Sequence, residues 1–160
     1  MKTKSFIAVS LTILCTLLLP GCKNNRNNPD NPQSIIGTTA RPGWTKPDIY
    51  DMTSSMTAII KVDMTLTYSA KQLSEADYHQ SDNDMLAAFE GENCLGVAEQ
   101  KNNMFFLYIS APKENTEVQL RFYSDALRNI YIANESLTFS NDACIGTILY
   151  PYTPKFELAK

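Results

Sequence analysis

Met56-Thr57-Ala58-Ile59-Ile60-Lys61-Val62-Asp63-Met64-Thr65-Leu66-Thr67-Tyr68 is the clearest periodic stretch of the chain. Its even positions (Met56, Ala58, Ile60, Val62, Met64, Leu66, Tyr68) are apolar, and its odd positions are polar except for Ile59. Successive side chains of a strand point to opposite faces, so this order puts one apolar face against a core and one polar face outward. A helix would scatter the same residues around its axis. The stretch therefore reads as a half-buried β-strand.

Towards the C-terminus, short apolar runs alternate with turn formers. Residues 85–89 lead into Glu90-Gly91-Glu92-Asn93, and residues 94–98 into Gln100-Lys101-Asn102-Asn103. Residues 104–111 are apolar except for Ser110, which predicts a central strand buried on both faces. Pro112-Lys113-Glu114-Asn115 turns the chain. Val118, Leu120 and Phe122 then alternate with Gln119, Arg121 and Tyr123. Apolar runs at 130–133, 137–139 and 145–149 complete the set, and one helical turn is expected around residues 71–78 in a polar segment. Seven or eight short strands joined by short loops predict an all-β chain: an antiparallel β-sandwich of immunoglobulin-like type.

Towards the N-terminus, Lys2 and Lys4 precede an apolar run from Phe6 to Leu19 that closes on Leu19-Pro20-Gly21-Cys22. The run is too short to span a bilayer and has the length of a cleaved signal core. With small Gly21 before the cysteine and Leu19 three places before it, the segment reads as a lipoprotein signal (residues 1–21) with lipidation at Cys22. Residues 22–43, rich in Asn and Pro, read as a flexible tether, and residues 44–160 as the folded domain. This predicts a lipid anchor in the outer membrane of a cell envelope. Basic Lys23 and Arg26 directly after the cysteine favour its periplasmic face over the cell surface.

The formal charge of −3 becomes −5 once Lys2 and Lys4 leave with the signal. The four remaining Arg are scattered at 26, 41, 121 and 128, so nucleic acid is set aside as a partner. Cys15 lies in the signal, which leaves Cys94 and Cys144 in the domain. Outside the cytoplasm they either pair, closing a loop of about 50 residues that contributes up to ~4 kcal/mol, or remain small buried hydrophobes.

Residues 84–98, Asp-Met-Leu-Ala-Ala-Phe-Glu-Gly-Glu-Asn-Cys-Leu-Gly-Val-Ala, resemble a β-sandwich module of secreted and lipid-anchored surface proteins of Bacteroidetes bacteria. That module carries an Asp, an Ala-Ala-Phe strand, a Gly-containing turn and a Glu-Cys-Arg-Gly-Val-Ala strand. Trp44, residues 55–58, 104–109, 118–125, 137–139 and 144–147 match at similar distances, so the likeness spans roughly 44–152. Leu95 stands where the module usually has Arg, and the polar segment 69–83 is longer. The resemblance implies the sandwich fold and no defined activity. Physically, Ala87 and Ala88 permit close packing beside Phe89, and Gly91 and Gly96 permit a turn and a bulge.

Candidate sites are few. Asp82 and Asp84, with Glu90 and Glu92 nearby, offer oxygen ligands for Ca²⁺, but their spacing does not match a twelve-residue calcium loop, and a solvated turn is the simpler reading. His79 is the sole histidine and has no ligand-spaced partner, so no metal or cofactor is expected. No Gly-x-Ser-x-Gly elbow or Gly-rich phosphate loop occurs. Trp44, Tyr50, Tyr78, Tyr150 and Tyr152 lie outside the best strands, where they either contact a sugar or protein partner or plug the ends of the core.

Two functions follow as expectations. One is a non-catalytic, lipid-anchored module binding a glycan or an envelope protein. The alternative is a small envelope enzyme acting on polysaccharide or peptidoglycan. An enzyme gathers ionisable groups with shifted pKa in a cleft, whereas a binding module presents an aromatic or apolar patch on one face. A third possibility is a pilus-like subunit that polymerises by strand donation.

Overall fold

The computed structural model describes residues 37–47, 54–63, 80–111 and 113–159. The helical turn expected at 71–78, the 64–68 end of the quoted stretch, and Cys22, Tyr50, Tyr78 and His79 lie outside the described residues. In chain order the strands are β1 (Ser55–Ile60), β2 (Met85–Glu90), β3 (Asn93–Val97), β4 (Glu99–Lys101), β5 (Met104–Ser110), β6 (Glu117–Ser124), β7 (Asn129–Ala133), β8 (Leu137–Thr138), β9 (Cys144–Ile145) and β10 (Phe156–Leu158).

They form two sheets. The first has the order β4-β5-β1-β9, and the second β10-β7-β6-β2-β3, with β8 also paired to β6. The strand pairs are antiparallel except β1 with β9. Inward side chains of both sheets share one core, in which Phe105 of β5 meets Phe122 of β6 edge-on at 5.9 Å. This is the all-β sandwich that the alternation implies. Among the described residues, no helix is long and apolar enough to cross a membrane.

Two turns follow directly from their residues. Asn102 (φ 53°) and Asn103 (φ 59°) join β4 to β5 with both central residues left-handed, the geometry of a type I′ hairpin that Asn tolerates. Gly91, at φ 58°, is the first central residue of the β2–β3 turn. Opposite β2, the register slips so that Ala88 faces Gly96 and Phe89 faces Cys94, leaving Leu95 as a bulged, buried extra residue. Gly96 has a further task. A β-carbon there would overlap the carbonyl oxygen of Tyr108, so its absence lets β3 close against β5 at the sandwich edge.

Four expectations need correction. The strand buried on both faces is β2, where Leu86, Ala87, Ala88 and Phe89 are all buried, and not β5. The cause is a strap formed by residues 37–47. Its Gly37 N–H donates to the Leu127 carbonyl at 2.7 Å and its Thr39 N–H to that of Arg128 at 3.0 Å. Tyr123 Oη donates to the Thr39 carbonyl at 3.4 Å, and Trp44 packs edge-on against Phe89 at 5.4 Å. The strap lies across the outward side chains of β2 and β6. Residues 37–43, read as tether, are therefore part of the packed domain.

The apolar run 145–149 contributes only Ile145 to a strand, where it follows Cys144 in β9. Gly146 at φ 72° then turns the chain, and Thr147 N–H donates to the Tyr150 carbonyl at 2.9 Å, so residues 148–150 form an exposed turn. Gln100 and Lys101, read as the start of a turn, belong to strand β4 with Glu99, and 156–158 adds β10. Of the two alternatives left open for the cysteines, the structure shows the unpaired one: Cys94 and Cys144 are separate thiols. Cys94 lies on β3, beside β5, while Cys144 lies on β9 at the far edge of the first sheet, with β5 and β1 between them.

Candidate functional site

The outward face of the first sheet is built by register. Thr57 sits opposite Tyr108 and Ile59 opposite Phe106 across β1 and β5, while Glu99 pairs with Phe106 and Lys101 with Met104 across β4 and β5. Opposite residues of an antiparallel pair share a face, so Met104, Phe106 and Tyr108 make a stripe along β5 with Ile59 and Thr57 beside it. Their alternates Phe105, Leu107 and Ile109 fill the core. No described segment crosses this stripe as the strap crosses the second sheet, and Tyr108 remains 52% exposed.

Two grooves flank the Tyr108 ring. One, of about 410 Å³, is lined by Thr57, Ile59, Val97, Glu99, Phe106 and Lys46. The other, of about 510 Å³, runs over Gly96 between Leu95, Val97, Ser110 and the strap end at Lys46 and Pro47. Both lie within the size range of small-ligand sites. Lys46 Nζ donates to Glu99 Oε1 at 2.7 Å on their common rim. That hydrogen bond and the ammonium charge hold the Glu99 carboxyl below its ordinary value. The pair offers a donor and an acceptor side by side with little net charge. Ser110 Oγ, in a residue only 1% exposed, has no hydrogen-bond partner among the described residues.

The residues singled out from sequence fall elsewhere. Trp44 and Phe89 pack together under the strap, as above. Arg121 Cζ lies 4.3 Å over the other side of this cluster, on the Phe89 ring. Its Nη1 and Nη2 grip Glu92 at 3.1 and 2.9 Å, and Nη2 also donates to the Gly91 carbonyl at 2.6 Å. The fork lowers the Glu92 carboxyl, first by hydrogen bonding and then by charge. Leu95, where the resembling module has Arg, is a buried apolar residue, and Arg121 on β6 is the cation of this neighbourhood.

Asp84 is buried and serves the backbone. Its Oδ1 accepts from the Asp125 N–H at 2.8 Å and its Oδ2 from the Ser81 N–H at 3.0 Å, tying the turn before β2 to the turn after β6. Asp82 is exposed on that turn. No group of three or more metal-ligating side chains gathers among the described residues. Tyr152 bridges Ile60 in parallel and packs on the core, and burial, with Glu135 adding to it, raises its phenol. Tyr150 stays 81% exposed on the turn. Burial likewise pushes the Cys94 thiol up.

Thus Lys46, Glu99, Phe106, Tyr108 and Ser110, none of which stood out in the sequence, form the most developed surface site among the described residues. The only sequence signal was the unbroken apolar run 104–109, half of which faces out. No protein-family model, no curated protein and no solved structure matches this chain.

Proposed function

We propose that this chain is a lipid-anchored cell-envelope β-sandwich that binds a glycan or a protein partner without catalysis. Anchoring is through Cys22 in the outer membrane, on its periplasmic face, following the signal and the basic residues after it. The observation that carries the binding reading is the exposed Tyr108 ring between two grooves, on a sheet face that no other described segment crosses.

The chemistry of the grooves favours a neutral glycan. A sugar offers a C–H face to an aromatic ring and adjacent hydroxyls that both donate and accept. Tyr108 supplies the ring, and Lys46 with Glu99 supplies a donor and an acceptor 2.7 Å apart. An anionic ligand would meet Glu99, and a cationic one Lys46. Three further carboxylates support a non-catalytic reading by what they hold. Glu114 accepts from the Asn141 N–H, Glu117 from Ser136 Oγ and Glu157 from Asn134 Nδ2, each a bond between neighbouring loops or strands. The resemblance to a Bacteroidetes surface module is compatible with this reading.

A glycan-array screen of the full chain beside its Tyr108→Ala variant tests the proposal. Signal on neutral glycans that falls about tenfold or more in the variant is expected for loss of a stacking platform. Glycan binding that survives the substitution would move the site elsewhere. Silence across glycans, with Tyr108-dependent capture of an envelope protein, would assign the groove to a protein.

A further inference from the structure

Ile148, Leu149 and Tyr150 are consecutive, apolar and 63%, 82% and 81% exposed, at the tip of a turn whose base is well tied. Thr147 N–H donates to the Tyr150 carbonyl at 2.9 Å, and Tyr150 N–H returns to Thr147 Oγ1 at 3.0 Å. Below the tip, Tyr152 N–H donates to the Ile59 carbonyl at 2.9 Å, and Lys61 N–H to the Tyr152 carbonyl at 2.9 Å. A run of exposed apolar residues on a water-facing turn is unfavourable unless something covers it.

The placement of the turn indicates what covers it. β5 leads away from the 102–103 turn and β6 returns to the 125–128 turn, so both turns lie at one end of the sandwich. Ile148 and Leu149 share a groove with Lys61, Asn102, Asn103 and Met104, which puts them at that end. Gly37 is held by Leu127, and Thr39 by Arg128, in the 125–128 turn, so Gly37, which Cys22 precedes in the chain, lies at the same end. The 15 residues from Cys22 to Gly37 reach at most about 50 Å even fully extended. A lipid on Cys22 would therefore hold the bilayer within tether reach of the domain end that carries both Gly37 and the apolar turn.

We propose that the 148–150 turn docks the domain onto the lipid bilayer that holds its anchor, with Ile148 and Leu149 entering the acyl boundary and Tyr150 at headgroup level. Lys61 and Lys101 flank the turn and suit anionic headgroups. Glu99 lines the groove beside Lys101 but is paired with Lys46, and Asp125 bonds Ser81 and Asn83 by the second sheet. The bilayer thus meets the first-sheet side of this end first. The Tyr108 grooves, farther along β5, stay clear of the lipid.

This inference rests on the lipid anchor at Cys22, and the experiment separates the two. The full lipidated chain carrying Leu149→Trp is reconstituted into phosphatidylethanolamine–phosphatidylglycerol vesicles with brominated acyl chains, beside the wild-type chain, whose Trp44 gives the background. Flotation with the vesicles and quenching of about half or more of the added emission, weakened by Lys61→Glu with Lys101→Glu, is the expected result. Flotation without extra quenching overturns the docking and leaves the anchor standing. Failure to float overturns the anchor and the docking with it. Quenching of Trp44 instead, or oligomers in detergent that Ile148→Asp dissolves without any vesicle quenching, assigns the turn another partner and also overturns the docking.

Discussion

The guanidinium carbon of Arg121 sits 4.3 Å from the centroid of the Phe89 ring. Trp44 meets the same ring edge-on, so one phenyl group joins the strap to β2 and β6. The strap has few backbone bonds to the sheet it crosses. This aromatic contact, with the Gly37 and Thr39 bonds, fixes it there.

Arg121→Ala is expected to cost about 1–2 kcal/mol in chemical denaturation, through loss of the cation–ring contact and of the stem that covers Phe89. Arg121→Lys recovers part of this, because it keeps the charge and loses the fork on Glu92. The pH dependence carries a second signature. The Glu92 carboxyl is lowered in the folded state from 4.5, so its contribution is present above that value and is lost as pH falls through the folded value. The difference between wild type and Arg121→Ala should therefore shrink on acidification, and denaturation midpoints across acid pH measure it.

Gly96→Ala should destabilise the domain by about 1–3 kcal/mol, since the new methyl group meets the Tyr108 carbonyl and backbone must yield. The strain falls at the Tyr108 grooves, so ligand binding should weaken more than global stability does. Thermal denaturation and glycan affinity measured on the same protein distinguish the two effects.

Asp84→Ala leaves the Ser81 and Asp125 amides without their carboxylate and is expected to cost about 2–3 kcal/mol. Asp84→Asn, which keeps one acceptor oxygen, should lose less. Millimolar Ca²⁺ should leave the wild-type midpoint unchanged, because both carboxylate oxygens already hold backbone N–H groups.

Alkylation followed by peptide mapping should label Cys144 first. It is exposed, whereas Cys94 is half-buried with its thiol pushed up, so less of the reactive thiolate forms. Unfolding should bring the two rates together. A reducing agent should not move the denaturation midpoint, whereas a stabilising Cys94–Cys144 disulfide would make it fall.

Several features were legible before any fold was known. The 56–68 alternation placed Met56, Ala58 and Ile60 in the core, and the Asn and Gly residues at 102–103 and 91 marked tight turns, because these depend on a residue and its immediate neighbours. The strap was not legible. Residues 37–47 have no periodicity, and what holds them is Phe89, Tyr123 and the carbonyls of Leu127 and Arg128, all far along the chain. For the same reason the apolar run at 104–111 pointed to double burial that β2 shows instead. Two apolar faces in a strand reveal nothing about which face finds a cover.

The amino-acid sequence alone thus determined an all-β sandwich and the inward face of its main strands, since side-chain alternation is a local property of an extended backbone. Only the tertiary structure decided that Cys94 and Cys144 lie on different sheets. It likewise decided that Tyr108 is exposed between Lys46 and Ser110, and that residues 148–150 project from the end where Gly37 and Thr39 are held. Strand order and the path of a covering segment arise from contacts between residues distant along the chain, and no local pattern encodes them.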